Sequence, residues 1–312
     1  MKLVIFGCGK IANRIAKACL QVKEIELLGF ASKDIDKARN YAETYGCIEY
    51  GDYEHFLNGD VDAVYVATHN PSHYEVIRTC LEHRKSVICE KPMLGSTKDT
   101  EELFDLAERN GVTLMEAMKS VFLPLNWKIK ELMLDGTIGE IEKVYASFMR
   151  NGSHTKEHWI NDPVTGGALK DLGSYCVGTL DFLLDERPRL VSLESDRTPG
   201  RSDTTAYADL MYGNIKGKIA VSNSLDGDTT LIITGSRGMI RADNYWKTGK
   251  GYYIVDGVRH ELDEEYISDF YYELKHFAEL VDQKIPESPI MSRQASLDIL
   301  SITARETEET DA

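Results

Sequence analysis

The chain reads as a two-domain α/β protein: a doubly wound parallel sheet, then an α+β domain on a mostly antiparallel sheet. Three observations predict this. Residues 1–120 alternate short apolar runs with longer helical stripes, the pattern of a parallel sheet covered by helices. Residues 189–258 carry alternating segments broken by Tyr212-Gly213-Asn214, Asp226-Gly227, Ser236-Arg237-Gly238 and Asp256-Gly257, and closely spaced turns of that kind imply antiparallel strands. A length of 312 residues, 42% hydrophobic and 28% charged, is ample for two domains with a core each.

Each element has its own justification. Residues 3–6 are an apolar run. Residues 10–22 then place Ile11, Ile15, Ala18 and Val22 on one helical stripe. Residues 25–31 form the next strand, and Asp34 is a suitable N-cap for a helix to residue 45. Residues 63–67, 86–89 and 112–115 are three more buried strands. Helices over 73–83 and 97–110 connect them, the second capped by Ser96 or Thr97. Beyond Pro124 the texture changes. A helix near 127–134 stops at Asp135-Gly136, residues 143–149 alternate as a strand, and helices follow at 172–184, 267–283 and 292–305. The acidic end, 306–312, should fray. The expected domains are 1–120 and 121–312, with the helix over 292–305 packing back on the first.

Charge narrows the function classes. Lys and Arg number 36 against 51 Asp and Glu, a formal charge of −15. Nucleic acids and anionic membranes need a basic face, so neither is an expected partner. No apolar run approaches the roughly 20 residues of a membrane span. The opening MKLVIFGCGK reads as a first strand and not as an export signal. The six cysteines (8, 19, 47, 80, 89 and 176) include no C-x-x-C pair, which suits reduced, buried residues of a cytoplasmic protein.

Gly7-Cys8-Gly9-Lys10-Ile11-Ala12 fits G-x-G-x-x-A at a strand-to-helix junction. Gly7 permits a tight turn and Gly9 lets a pyrophosphate approach the backbone. Lys10 and Ile11 open a helix whose free N–H groups suit phosphate. After the second strand, where an acid would read the ribose of NAD, stand Ser32 and Lys33. A hydroxyl and a cation there suit the 2′-phosphate of NADP, with NAD as the other candidate. Thr68, His69 and Asn70 follow the third strand, with His73 close by, and Glu90 and Lys91 follow the fourth. Glu116 to Lys119 follow the fifth. Ligands of such sheets bind beyond the carboxyl ends of the strands, so these clusters outline a cleft.

Lys91, between Glu90 and Pro92, is placed to hydrogen-bond a substrate hydroxyl and stabilise a developing alkoxide. Asp171 and Tyr175 stand one helical turn apart and can face the same side. Asp171 could orient a hydroxyl and Tyr175 shuttle a proton, or both could be structural. His154 and His158 have the spacing of a metal pair but lack the rest of a metal motif, so no metal is expected. Trp159, Tyr245, Trp246 and Phe270 are weaker candidates for a sugar-lining surface.

The glycine loop, Glu90-Lys91-Pro92, Met115-Glu116-Ala117-Met118 and the run G-G-A-L-x-D-L-G-x-Y at 166–175 together resemble the Gfo/Idh/MocA oxidoreductases over nearly the whole chain. The resemblance implies a Rossmann domain and a second domain whose large open sheet mediates assembly as a homodimer or homotetramer. It implies Lys91 as the catalytic lysine, Asp171 as a substrate ligand and Glu90 beside the nicotinamide ribose. Tyr175, where inositol-type members carry His, is similar to the branch of glucose–fructose oxidoreductase, dimeric dihydrodiol dehydrogenase and NADP-dependent xylose dehydrogenase. That branch often has an aromatic residue and Arg at the positions of Lys119 and Val121. Lys119 at the rim could instead meet a carboxylate or phosphate on a sugar derivative. The expected activity is NADP-dependent hydride transfer to or from a hydroxyl-bearing carbon of a sugar or cyclic polyol, with Lys91, Tyr175 and Asp171 as the catalytic set. Lys119 and Trp159 join that set in binding the substrate. The alternative is a dinucleotide-binding sensor of the same fold without turnover.

Overall fold

Strands β1 (Lys2–Phe6), β2 (Glu26–Ala31), β3 (Ile48–Tyr50), β4 (Ala63–Val66), β5 (Ser86–Glu90) and β6 (Leu114–Ala117) pair in parallel in the order β3-β2-β1-β4-β5-β6. This computed structural model describes residues 1–51, 53–152 and 158–304. The chain order reverses between β1 and β4, the topological switch at which such sheets open a crevice. Val4, Ile5, Val64, Tyr65, Val87 and Ile88 are fully buried, because helices cover both faces of the sheet.

The helices are α1 (Lys10–Cys19), α2 (Ile35–Tyr45), α3 (Tyr53–Leu57), α4 (His73–Glu82) and α5 (Thr97–Asn110). Two have caps legible in the sequence. The Asp34 side chain accepts from Lys37 N at 3.3 Å, and the Ser96 hydroxyl accepts from Asp99 N at 3.2 Å. Gly46 and Gly111 end the same two helices in the left-handed region. Strand β3 and α3 were not expected. β3 has three residues and leaves Ile48 half exposed, so it shows no periodicity to read. β6 begins at Leu114 and not at residue 112, which moves Glu116 inside the strand.

The chain divides into two compact units, residues 1–118 with 270–296, and residues 119–269 with the chain from 297. In the first, α8 (Tyr271–Asp282) follows the sheet, and the segment after it lies along β6. There Leu114 N donates to Pro286 O at 3.0 Å, and Thr113 Oγ1 to Ile285 O at 2.8 Å.

The second unit holds β7 (Ile141–Met149), β8 (Pro188–Ser195), β9 (Thr205–Tyr212), β10 (Ile215–Ser222), β11 (Thr230–Gly235), β12 (Gly238–Asp243), β13 (Lys250–Val255) and β14 (Val258–Asp263). Their order is β14-β13-β12-β11-β7-β10-β9-β8, antiparallel except for the parallel pair β7–β10. Val144, Ala146 and Phe148 alternate along β7 and are buried. Helices α6 (Pro124–Leu134) and α7 (Ser174–Leu184) belong to this unit. Pro124 stands at the first position of α6, where its missing N–H costs nothing. α7 is buried along nearly its whole length. α9 (Arg293–Thr303) straddles the division, its first turn to Ser296 clustering with the first unit. Among the described residues no helix is long and apolar enough to cross a membrane.

Candidate functional site

Register fixes what stands along the rim of the parallel sheet. Phe6 pairs with Val66, Val66 with Cys89, and Cys89 with Glu116, so β1, β4 and β5 run out level with one another. The residues that follow, Gly7, Ala67 and Glu90, therefore share one edge. Lys91 lies two strands from the glycine turn, about 10 Å at ordinary strand spacing.

The two glycines have different reasons to be there. Gly7 has φ +112, and a Cβ on it would lie 2.5 Å from Ala67 O and 2.9 Å from Thr68 N. No other residue fits. Gly9 is extended, the N-cap of α1, and a Cβ there would meet nothing within 4 Å. That open space belongs to a crevice of about 380 Å³ lined by Gly7, Cys8, Gly9, Ser32, Lys33, Lys37, Thr68, His69 and Ser72, among others. The unpaired N–H groups that open α1 add a positive dipole end. Burial, and secondarily Asp34, push the Cys8 thiol up to about 11, so it brings no negative charge to this site at neutral pH. These groups fit a dinucleotide. A bare backbone edge and helix terminus would take the pyrophosphate, while Ser32, Lys33 and Lys37 meet the adenosine ribose. Lys37 and Ser72 were missed by sequence reasoning. Lys37 is in the first turn of α2, and Ser72 bonds Thr68 Oγ1 at 2.9 Å in a short turn with no strand or helix period.

Other expected cofactor residues lie outside this crevice's lining. His73 is fully buried, with Nδ1 3.0 Å from Met93 O and Nε2 3.1 Å from Thr68 O. A neutral ring can donate to only one of these carbonyls. Burial lowers its basicity, against the pull of the Thr68, Met93 and Pro92 carbonyls. His73 thus ties the loop after β4 to the loop after β5. Asn70 opens the short turn Asn70–Ser72. Glu90 accepts from Tyr65 OH at 2.8 Å. The Lys91–Pro92 bond is cis. Glu116 is a correction to the expected rim cluster: it is 3% exposed, and it accepts from Met93 N at 3.0 Å and from Ser296 Oγ at 2.6 Å. Burial raises its carboxyl above the ordinary range, opposed first by Ser296, then by Met93 N and the Lys91 charge.

In the second unit the glycine pair at 166–167 is an approach point. A Cβ on Gly166 would lie 2.4 Å from Ile160 O, and Gly167 has φ +116 against the Asp203 carboxylate. Buried Asp203 accepts from Leu169 N at 2.7 Å and caps the turn that follows, a role with no local signal 34 residues away. That turn, Leu169–Gly173, is a π-helical turn leading into α7, which begins at Ser174 where the helix was expected from Leu172. Such turns re-aim side chains and recur at functional sites. It carries half-buried Asp171, and Tyr175 follows in the first turn of α7, 7% exposed.

Around Tyr175 stand Phe148 and Trp246, with ring centroids 5.7 and 5.6 Å from its own. Lys119 lies over them, its Nζ 4.5 Å from the Trp246 centroid and 6.0 Å from that of Tyr175. Lys119 is 2% exposed and ion-paired with Asp269, so the structure places it in an aromatic interior and not on an open rim. Trp159 lies on the short turn Trp159–Asn161, its ring 5.9 Å from that of His158. Phe270 is buried beneath Arg14, and Tyr245 donates to Cys176 Sγ at 3.3 Å. His158 Nδ1 accepts from Ile160 N, and His154 lies outside the described residues. Among the described residues no group of three or more His, Cys, Asp or Glu is placed to hold a metal ion. A second concavity, about 510 Å³, opens at the ends of β7 and β12, with Trp246, Lys247 and Arg150 in its lining.

Residues 1–118 match the family model described as "Oxidoreductase family, NAD-binding Rossmann fold", and residues 127–241 match that described as "GFO/IDH/MocA C-terminal domain". Among curated proteins, trans-1,2-dihydrobenzene-1,2-diol dehydrogenase of Mus musculus is 29% identical over 304 residues, covering 92% of this chain and 90% of that protein. Among solved structures, the 3-ketoreductase KijD10 of Actinomadura kijaniata in complex with NADP and TDP-benzene superposes with TM-score 0.88. It is 22% identical, covering 96% of this chain and 94% of that one. An oxidoreductase of Agrobacterium radiobacter in complex with NAD+, L-tartaric acid and magnesium gives TM-score 0.85 at 19% identity, covering 100% and 97%. At these identities the structures establish the fold.

The glycines give an opposed pair of expected outcomes. Gly9→Val should leave the thermal midpoint near wild type and raise the Kd for NADPH at least about 100-fold by filling the crevice. Gly7→Ala should cost about 1–3 kcal/mol of stability in urea melts by forcing a Cβ into Ala67. For the buried pair, Lys119→Met should destabilise the protein by about 3 kcal/mol, and the double change with Asp269→Leu should recover most of that. Denaturant titration of the three variants decides it, and equal losses in the single and double variants would refute the pairing.

Proposed function

Because the chain belongs to the Gfo/Idh/MocA oxidoreductase family, we propose that it is an NADP-dependent dehydrogenase or reductase of a carbohydrate-like substrate. Hydride passes between C4 of the nicotinamide and a hydroxyl-bearing carbon. The observation that carries this reading is the level rim of β1, β4 and β5, where the glycine turn and Lys91 share one edge of the sheet. A dinucleotide anchored by its pyrophosphate at Gly9 extends along that edge toward β5. Lys91 donates to the reacting oxygen and stabilises its developing negative charge. Tyr175 carries the proton and Asp171 holds a neighbouring hydroxyl.

The substrate class draws on relatives named for a dihydrodiol dehydrogenase and for a 3-ketoreductase reaction, both acting at a carbon bearing oxygen. NADP preference draws on Ser32, Lys33 and Lys37 in the crevice lining. Lys37 is partnered by Asp34 at 3.3 Å, so Lys33 brings the less committed charge. Assembly through the open face of the eight-stranded sheet is supported by the cross-strand row Tyr145, Ile232, Arg241 and Tyr252, none of them buried. Six unpaired cysteines suit a reducing, cytoplasmic setting.

Two outcomes test the reading. With purified protein, NADP or NAD and a panel of aldoses and cyclic polyols, Lys91→Met should abolish the absorbance change at 340 nm, a reduction of at least about 1000-fold. Its Kd for NADPH should stay within twofold. Unchanged turnover in that variant would remove Lys91 from the chemistry, and tight NADPH binding without turnover on any substrate would favour a sensor. Separately, Lys33→Ala should raise the Kd for NADP about tenfold, the loss of one charge-assisted phosphate contact, and change that for NAD less than twofold.

A further inference from the structure

We propose that Tyr41 is a positioning residue for the pyrophosphate of the dinucleotide: its phenol holds the Gly9 carbonyl and so sets the direction of the first amide of α1. This rests on the reading that the pyrophosphate lies at Gly9. Tyr41 stands on α2, and its OH donates to Gly9 O at 2.8 Å. Tyr45, one helical turn further on, donates to Asn13 Oδ1 at 2.5 Å, and Asn13 lies one turn beyond Gly9 on α1. The fully buried ring of Phe30 on β2 packs against both phenols, with centroids 5.0 and 5.6 Å from theirs. Two contacts therefore clasp α2 to the start of α1, and only that of Tyr41 reaches the glycine turn.

Peptide geometry converts this contact into an effect on the ligand. Gly9 O and Lys10 N–H belong to one planar trans peptide and point in opposite directions, so fixing the oxygen fixes the amide. Glycine by itself places few limits on that plane. Gly9 O accepts from Ala12 N at 3.1 Å as well as from Tyr41, so both of its lone pairs are engaged. Lys10 N–H is one of the opening amides of α1, which find no acceptor inside their own helix. A donor on the carbonyl also polarises the peptide and strengthens its N–H, by roughly 10–30% per bond in a chain of hydrogen bonds. The phenol, the Gly9–Lys10 peptide and a phosphate oxygen make such a chain, and it ends on the ligand.

The test needs no identified substrate. Tyr41→Phe removes the hydroxyl and keeps the ring on Phe30, and Tyr45→Phe makes the same change one turn further from the glycine loop. In fluorescence titrations of the full chain, Tyr41→Phe should raise the Kd for NADPH and for NADH by the same factor, at least about fivefold. Tyr45→Phe should leave both within about 1.5-fold, although each variant should lower the thermal midpoint. In phosphorus NMR of bound NADPH, Tyr41→Phe should move the pyrophosphate resonances and leave that of the 2′-phosphate in place, which a loss of stability alone would not do. Unchanged affinity in folded Tyr41→Phe overturns the proposal. So does an equal rise in Tyr45→Phe, which would make the clasp a scaffold only, or a loss confined to NADPH, which would put the phenol at the 2′-phosphate. Wild-type NADPH affinity in Gly9→Val would instead overturn the placement of the pyrophosphate at Gly9, a separate result that also removes what Tyr41 would position.

Discussion

Much of the first unit follows from one backbone contact. The chain leaving β1 passes so close to Ala67 that position 7 has no room for a side chain. That closeness is what the strand order requires. β1 and β4 are neighbours in the sheet, yet α1 departs from β1 toward one face and α4 from β4 toward the other, so a crevice opens between their ends. Gly7 lets the chain turn within that narrow gap, and Gly9, one step further, leaves the space above it empty. The crevice exists because two glycines solve different problems, one steric within the fold and one reserved for a ligand.

Buried charge marks the second theme, and it concentrates in a single short run. Glu116 and Lys119 are three residues apart, and the division between the units falls between them. Each is buried and each is answered by groups distant in sequence. Ser296 and Met93 bond Glu116 within the first unit. Asp269 and the Trp246 ring answer Lys119 within the second. Neither charge stabilises its unit cheaply, since desolvation offsets most of a buried pair's attraction. Retaining both is easier to understand if each orders something chemical beside it. For Glu116 this is the Lys91 turn, and for Lys119 the ring cluster that includes Tyr175.

The parts of this arrangement legible in the sequence are those with local causes. The glycine loop, the caps at Asp34 and Ser96, and the terminating Gly46 and Gly111 act within four residues of where they stand, so spacing alone reveals them. The apolar strands of the first sheet were readable because burial on both faces demands continuous apolar runs. β3 was not, because an exposed three-residue edge strand has no such demand. Lys119 and Glu116 defeated local reading for a related reason. A Lys or an acid next to a strand end ordinarily means a solvated tip. What reverses that here is Asp269, 150 residues on, and Ser296, 180 residues on, and neither is adjacent in any periodic sense. The π-helical turn at Leu169–Gly173 was hidden too, since its geometry depends on Gly167 and on Asp203, the latter 34 residues away.

The overall acidity bears on how such a protein meets an anionic cofactor. A chain of charge −15 repels a phosphate-bearing dinucleotide, a repulsion that salt screens beyond the Debye length of about 8 Å at physiological ionic strength. Attraction must therefore be supplied at contact distance. Several surface cations are committed to neighbouring carboxylates: Lys2 to Asp60, Arg39 to Asp36, Arg78 to Glu82, Arg237 to Asp256 and Lys250 to Asp263. Such exposed pairs contribute little stability, but they leave those cations with little net field to offer. Against that background the lining of the crevice stands apart. It combines Lys33 with the N-cap of α1 at Gly9, and it keeps the Cys8 thiol uncharged at neutral pH. Recognition of the phosphates is then a short-range matter of helix terminus and one or two ammonium groups, confined to a single rim of an otherwise repulsive surface.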